Sequence, residues 1–173
     1  QKGWASYEAP LPSLLAMWCA RVSPLVVDVG ANTGFYSLLA ATSGARQVLA
    51  VEPVQEIADV LAANVALSEQ DGCVRLLRVA LGEQVGEQVL HFPLADHGLL
   101  ETSASLNPNF RAQHSQHRTV PVQTLDTVLA DHLHLAGSVP LLIKMDVESF
   151  ELVVLAGGAQ VLQQWRPAIV AEI

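Results

Sequence analysis

Acidic side chains stand at three points where a short apolar run meets a turn. Asp28 lies within Leu25–Val29, just ahead of Gly30-Ala31-Asn32-Thr33-Gly34. Glu52 follows Gln47–Val51 and precedes Pro53, and Asp146 and Glu148 follow Leu141–Met145, with Glu151 next. A carboxylate so placed can accept hydrogen bonds from ligand hydroxyls, take a proton from a weak nucleophile, or hold a divalent ion that polarises a hydroxyl. The Gly-x-Asn-x-Gly turn adds a second kind of chemistry. Glycine lets the chain turn tightly and come close to another group, and the helix that follows opens with free N–H groups and a positive dipole end.

The spacing narrows the ligand. A dinucleotide fingerprint would place glycine at 30, 32 and 35, but the chain has Gly30, Asn32 and Phe35. The turn therefore reads as an S-adenosylmethionine (SAM) loop rather than an NAD loop. Glu52 lies about 20 positions beyond the first glycine, where an acidic residue accepts both ribose hydroxyls. Ala80-Leu81-Gly82, small and apolar, is placed to flank an adenine.

These residues need a scaffold that brings them to one edge, and the periodicity supplies one. Leu11 to Arg21 reads as a lead-in helix. Strands are predicted at Leu25–Val29, Gln47–Val51, Val74–Leu81, Leu141–Met145 and Pro167–Ile173. Helices are predicted at Gly34–Ser43, at Val54–Ser68 with Ile57, Val60, Leu61 and Val65 on one face, at Thr124–His134, and after the fourth strand through about Gln164. Strands alternating with helices imply a doubly wound, mostly parallel α/β sheet. Its ligand crevice lies beyond the carboxyl ends of the first and fourth strands. A seven-stranded sheet of this kind would need two more strands after Ile173. Residues 83–118 break the rhythm: Gln88 to Phe92 and Val120 to Val122 could be extra strands, and the polar stretch between them reads as an irregular insert near the acceptor site.

Composition bounds the rest. The 173 residues carry 51% hydrophobic and 15% charged side chains, fitting one globular domain. A net charge of −8 argues against a nucleic-acid surface, and no Asn-Pro-Pro-Tyr-type motif follows the fourth strand. No apolar run is long enough for a membrane span, and no signal-peptide pattern is visible. Cys19 and Cys73 have no metal-type spacing and read as reduced thiols, consistent with a cytoplasmic protein.

The remaining candidates are weaker. His114 and His117 have a spacing that could serve a metal, but no third ligand is in view, and no metal is expected. His91 and His97 could reach the active site as bases, whereas His132 and His134 read as surface residues. Trp4, Trp18 and Trp165 read as packing residues.

Several segments together resemble the FkbM-type methyltransferase family. They are Val27-Asp28-Val29-Gly30-Ala31-Asn32-Thr33-Gly34-Phe35-Tyr36-Ser37, Val51-Glu52-Pro53, Val79-Ala80-Leu81-Gly82, Thr124-Leu125-Asp126, and Ile143-Lys144-Met145-Asp146-Val147-Glu148-Ser149-Phe150-Glu151. Their order and spacing run over most of the chain. One departure is visible: the family pattern usually has Gly after Asp-x-Glu, and this chain has Ser149. The resemblance implies a Rossmann-like fold of class I SAM-dependent methyltransferase type and an enzyme that methylates a hydroxyl of a sugar or other natural product. It further implies that Asp28, Gly30, Asn32 and Gly34, with Ala31 and Thr33, cradle the methionine part of SAM, that Glu52 beside Pro53 holds the ribose, and that Asp146 lies near the sulfonium and the acceptor.

The expected chemistry is O-methylation of a small-molecule acceptor, with Asp146 the first choice of base, Glu148 the second and a histidine of the insert the third. A carboxylate-held divalent ion is the open alternative. Two rival readings are a non-catalytic SAM-fold binding module, which would have lost the acceptor cavity or the binding residues, and an NAD-dependent oxidoreductase, which the glycine spacing opposes.

Overall fold

Leu25-Val26-Val27-Asp28-Val29 and Leu141-Leu142-Ile143-Lys144-Met145 are buried at every position. Runs of this kind, apolar but for one charged residue each, suit strands covered on both faces. The computed structural model describes residues 10–93 and 115–171. There β1 (Leu25–Val29), β2 (Gln47–Val51), β3 (Val74–Leu77), β7 (Leu141–Met145) and β8 (Ala168–Ala171) form a parallel sheet in the order β3-β2-β1-β7-β8. The predicted bounds of β1, β2 and β7 coincide with the observed ones.

Alternate side chains of β1 serve two cores, as the strand period requires. Val26 joins Val48, Ala50 and Leu142 beneath α1 (Leu11–Val22), α2 (Phe35–Thr42) and α3 (Gln55–Leu67). Leu25, Val27 and Val29 join Leu49, Val51, Ile143 and Met145 on the opposite face. That face is covered by α4 (Leu125–Leu129), which continues as a 3₁₀ helix over Ala130–Leu135, and by α5 (Glu151–Ala156) and α6 (Ala159–Trp165). Asp28 and Lys144 fall in the Val26 and Leu142 series and so point to the α1–α3 side.

Five expectations are corrected. The predicted third strand is two strands: β3 stops at Leu77, and Ala80–Leu81 forms β4, which leaves the parallel sheet and pairs with β6 (Ser115–Gln123). β6 also pairs antiparallel with β5 (Gly86–Pro93) from Gly86↔Val122 to Pro93↔Ser115, so both ends of the expected irregular insert are strand. Residues 94–114, with His97 and His114, lie outside the described residues. The small sheet buries Leu90, Val120 and Val122 against Val54 and Ile57.

The helix expected to run through Gln164 breaks at Gly157-Gly158 into α5 and α6. A Cβ at Gly157 would collide with the Gly82 carbonyl, so glycine at this position lets the chain pass close to the end of β4. In α3 the buried side is Ile57, Ala58, Leu61 and Val65, while Val60 is 37% exposed. His132 is buried against Gln47, its Nε2 3.1 Å from Oε1, rather than at the surface. Burial, with Arg75 nearby, lowers its pKa. Among the described residues no helix is long and apolar enough to cross a membrane.

Candidate functional site

The strand order reverses between β1 and β7, and the loops after these strands meet there. The N–H groups of Gly30 and Ala31 both donate to the Val51 carbonyl, at 3.1 and 3.0 Å, which ties the turn to the end of β2. The Asp146 N–H donates to the Val29 carbonyl at 3.1 Å, which carries the β7 pairing one residue further. Gly30 has φ +74°, and a Cβ on it would collide with the Asp146 carbonyl oxygen. This crossing of two backbones requires glycine at position 30. Gly34, at φ +98°, ends the turn as the N-cap of α2 and rests against Leu61. No side chain caps α2, and its first turn carries no acidic residue.

Glu52 organises the turn from the β2 side. Its Oε2 accepts the Asn32 N–H at 3.0 Å and its Oε1 accepts the Val54 N–H at 2.9 Å. Asn32 is held at φ +51°, an αL conformation that Asn tolerates better than most residues. Asn64 Nδ2 donates to the Thr33 carbonyl at 2.8 Å and ties the same loop to α3. Burial raises the Glu52 pKa to about 7, against the two backbone donors, which pull it down. Each carboxylate oxygen keeps a lone pair beyond the N–H it accepts.

The β7 side carries a buried charge pair. Asp28, 0% exposed, accepts the Ser37 hydroxyl at 2.6 Å through Oδ2. Lys144 Nζ lies 3.3 Å from Asp28 Oδ1 and 3.9 Å from Asp146 Oδ2, with the Tyr36 ring centroid at 4.9 Å. Among the described residues its one hydrogen bond goes to the Gly30 carbonyl, at 3.4 Å. The approach to Asp28 is an ion pair without hydrogen-bond geometry, because Oδ1 has no donor.

A cavity of about 260 Å³ opens on this arrangement, lined by Gly30, Ala31, Asn32, Thr33, Phe35, Tyr36, Lys144 and Asp146. Five of the predicted site residues, Gly30, Ala31, Asn32, Thr33 and Asp146, therefore share one wall. Asp28 sits beneath that wall, and Glu52 and Pro53 lie behind the turn. Ala80 and Leu81 are buried in β4, apart from the cavity lining.

Glu148 is also off the lining. It stands with Ser149 in a turn where both residues have positive φ, +51° and +71°. Glu151 accepts the Val147 N–H at 3.1 Å and closes that turn. A larger cavity, about 360 Å³, lies over Leu49, Leu77 and Val128 and shares no residue with the loop cavity.

Sequence reasoning missed Lys144, Tyr36 and Phe35 as wall residues. For Lys144 a signal existed: lysine in the middle of a fully buried strand is rare unless paired. No comparable signal marks Phe35 and Tyr36, whose rings stack edge-on at 5.0 Å.

A family model, the methyltransferase FkbM domain, matches residues 28–173. No curated protein matches the chain. Among solved structures it is similar to a methyltransferase FkbM from Methylobacillus flagellatus KT, at 18% identity and a TM-score of 0.56, over 86% of this chain and 32% of that one. The chain thus spans about a third of that protein's length, and the likeness shows the fold, that of class I methyltransferases. Shorter stretches are similar to a SAM-dependent methyltransferase from Agrobacterium tumefaciens (20% identity, TM-score 0.38, 40% of this chain and 23% of that one). The same holds for an O-methyltransferase from Bacillus cereus in complex with S-adenosylhomocysteine (14%, 0.37, 40% and 33%).

Proposed function

Because this chain belongs to the methyltransferase FkbM domain family, we propose that it binds SAM over the β1–α2 turn and methylates a hydroxyl of a sugar or other small acceptor. The observation that carries this reading is Asp146. It stands on the wall of the cavity floored by the Gly30–Gly34 turn, where the strand order reverses. The residues fit the cofactor's charged tail: Lys144 and Asp146 stand on the wall of one cavity, and the unsatisfied buried Asp28 Oδ1 lies behind the lysine.

When bound, SAM supplies an activated methyl group, so the hard chemistry belongs to the cofactor. The protein's work is placement. Gly30 to Thr33 form one wall, and Glu52 fixes that wall by holding the Asn32 N–H. In-line positioning of an acceptor oxygen can lower a barrier by several kcal/mol. A protonated hydroxyl is a poor nucleophile. Asp146, on the cavity wall, would accept that proton. Glu148, off the cavity lining, is the second candidate for that role. Acceptor choice falls to the residues around the mouth, Phe35 among them, which is 39% exposed.

The test is calorimetric titration with SAM, S-adenosylhomocysteine and NAD, followed by transfer of labelled methyl from SAM to a panel of sugars and alcohols. Micromolar binding of SAM and its product without NAD binding, and label in an acceptor that Asp146→Asn no longer produces, are expected. A folded chain that binds neither SAM nor S-adenosylhomocysteine overturns the proposal.

A further inference from the structure

The Lys144 ammonium is incompletely satisfied among the described residues. It has three protons to donate, is 5% exposed, and among the described residues makes one long hydrogen bond, to the Gly30 carbonyl at 3.4 Å. Its closest anion, Asp28 Oδ1 at 3.3 Å, is outside hydrogen-bond geometry, and Asp146 Oδ2 at 3.9 Å is beyond hydrogen-bond reach. Buried ammonium groups are ordinarily saturated. This one is held loosely from beneath by Asp28, flanked by the Tyr36 ring, and set in the cavity wall.

We propose that Lys144 binds the carboxylate of the amino-acid tail of SAM. The inference rests on the SAM-binding reading above and adds a group that reads one part of the cofactor. The wall offers charges of both signs, Lys144 and Asp146, to a ligand tail that carries a carboxylate and an ammonium. A carboxylate within reach of Lys144 fills donors that Asp28 leaves unused. Asp28, fully buried, serves as the counter-charge that keeps the lysine side chain extended toward the cavity. Lys144 therefore discriminates between nucleosides with and without a carboxylate.

The test compares binding of SAM with that of decarboxylated SAM, which keeps the ammonium and the sulfonium and lacks only the carboxylate. Calorimetry is run on the unmodified chain, on Lys144→Arg, and on Lys144→Met with Asp28→Asn. The double change avoids leaving a bare buried carboxylate, and thermal unfolding checks that it folds. A charge-assisted hydrogen bond supports a preference for SAM of about tenfold or more in the unmodified chain. We expect that preference to survive in Lys144→Arg and to fall to near parity in the double variant. Equal affinities for the two nucleosides in the unmodified chain, or an unchanged preference in the folded double variant, overturn this assignment and leave the SAM-binding reading standing. Failure of the unmodified chain to bind either nucleoside overturns both.

Discussion

Asp28 and Lys144 are register partners on the two central strands, and the lysine Nζ lies 3.3 Å from the aspartate Oδ1 with both side chains almost wholly buried. Burying two charges is costly, and their attraction offsets the cost only while both are present. Lys144→Met alone should therefore cost about 3–5 kcal/mol, because it strands Asp28, whereas adding Asp28→Asn should recover most of the loss. Urea unfolding of the two variants checks this. Equal losses in the single and double variants would show that the lysine stem, not the charge, matters.

Gly30→Ala should destabilise the fold by roughly 2–4 kcal/mol, combining the left-handed backbone with the collision at the Asp146 carbonyl. Since the collision moves the Asp146 backbone, the variant should also weaken SAM binding in proportion greater than its loss of stability. Parallel denaturation and calorimetry separate the two effects.

Glu52 makes stability depend on pH in an unusual direction for a carboxylate. Its pKa is raised from 4.5 to about 7 by burial, so the folded chain holds this proton more tightly than the unfolded chain does. Its contribution is full below about 4.5 and is lost as pH rises through about 7. Glu52→Gln removes the titration and keeps an oxygen for one backbone donor. Measured at pH 5 and pH 8, the unmodified chain should lose stability relative to Glu52→Gln. Glu56, held down to about 2 by Arg118 at 2.5 and 2.8 Å, titrates far below this window. His132 is common to both proteins and cancels in the difference.

Ser149→Gly should stabilise the chain by about 1 kcal/mol, because a residue with a Cβ is held at φ +71° in the turn after Asp146. Thermal unfolding reads the change. No gain would mean that the serine side chain compensates for its backbone.

Asp126 supplies from α4 the cap that α6 lacks at its own N-cap, Gly158, accepting the Gln160 and Val161 N–H groups at 3.2 and 2.9 Å. Asp126→Ala leaves both donors without their side-chain acceptor and should cost about 1–2 kcal/mol, seen as a lower urea midpoint with the sheet intact.

What could be read from the residues follows from burial. Leu25–Val29, Gln47–Val51 and Leu141–Met145 are apolar because they lie in the middle of a covered parallel sheet, so their bounds and order were legible without coordinates. The glycine turn, Glu52 and Asp146 were legible for the same reason: each sits where such a run stops. The β5–β6 ladder was legible only in part, as possible strands at Gln88–Phe92 and Val120–Val122, since among the described residues only Leu90, Val120 and Val122 of it are buried. Nor did one-dimensional pattern show that β3 stops at Leu77 and Ala80 joins a second sheet, because Val74–Leu81 looks continuous until β6 is there to pair with it. The sequence by itself determined the strand–turn–helix grammar and the carboxylates at its edges, which depend on neighbours along the chain. Only the tertiary structure decided that Asp28 turns under the wall while Lys144 and Asp146 stand in it. That choice depends on the register of two strands more than a hundred residues apart and on the helix packed over them.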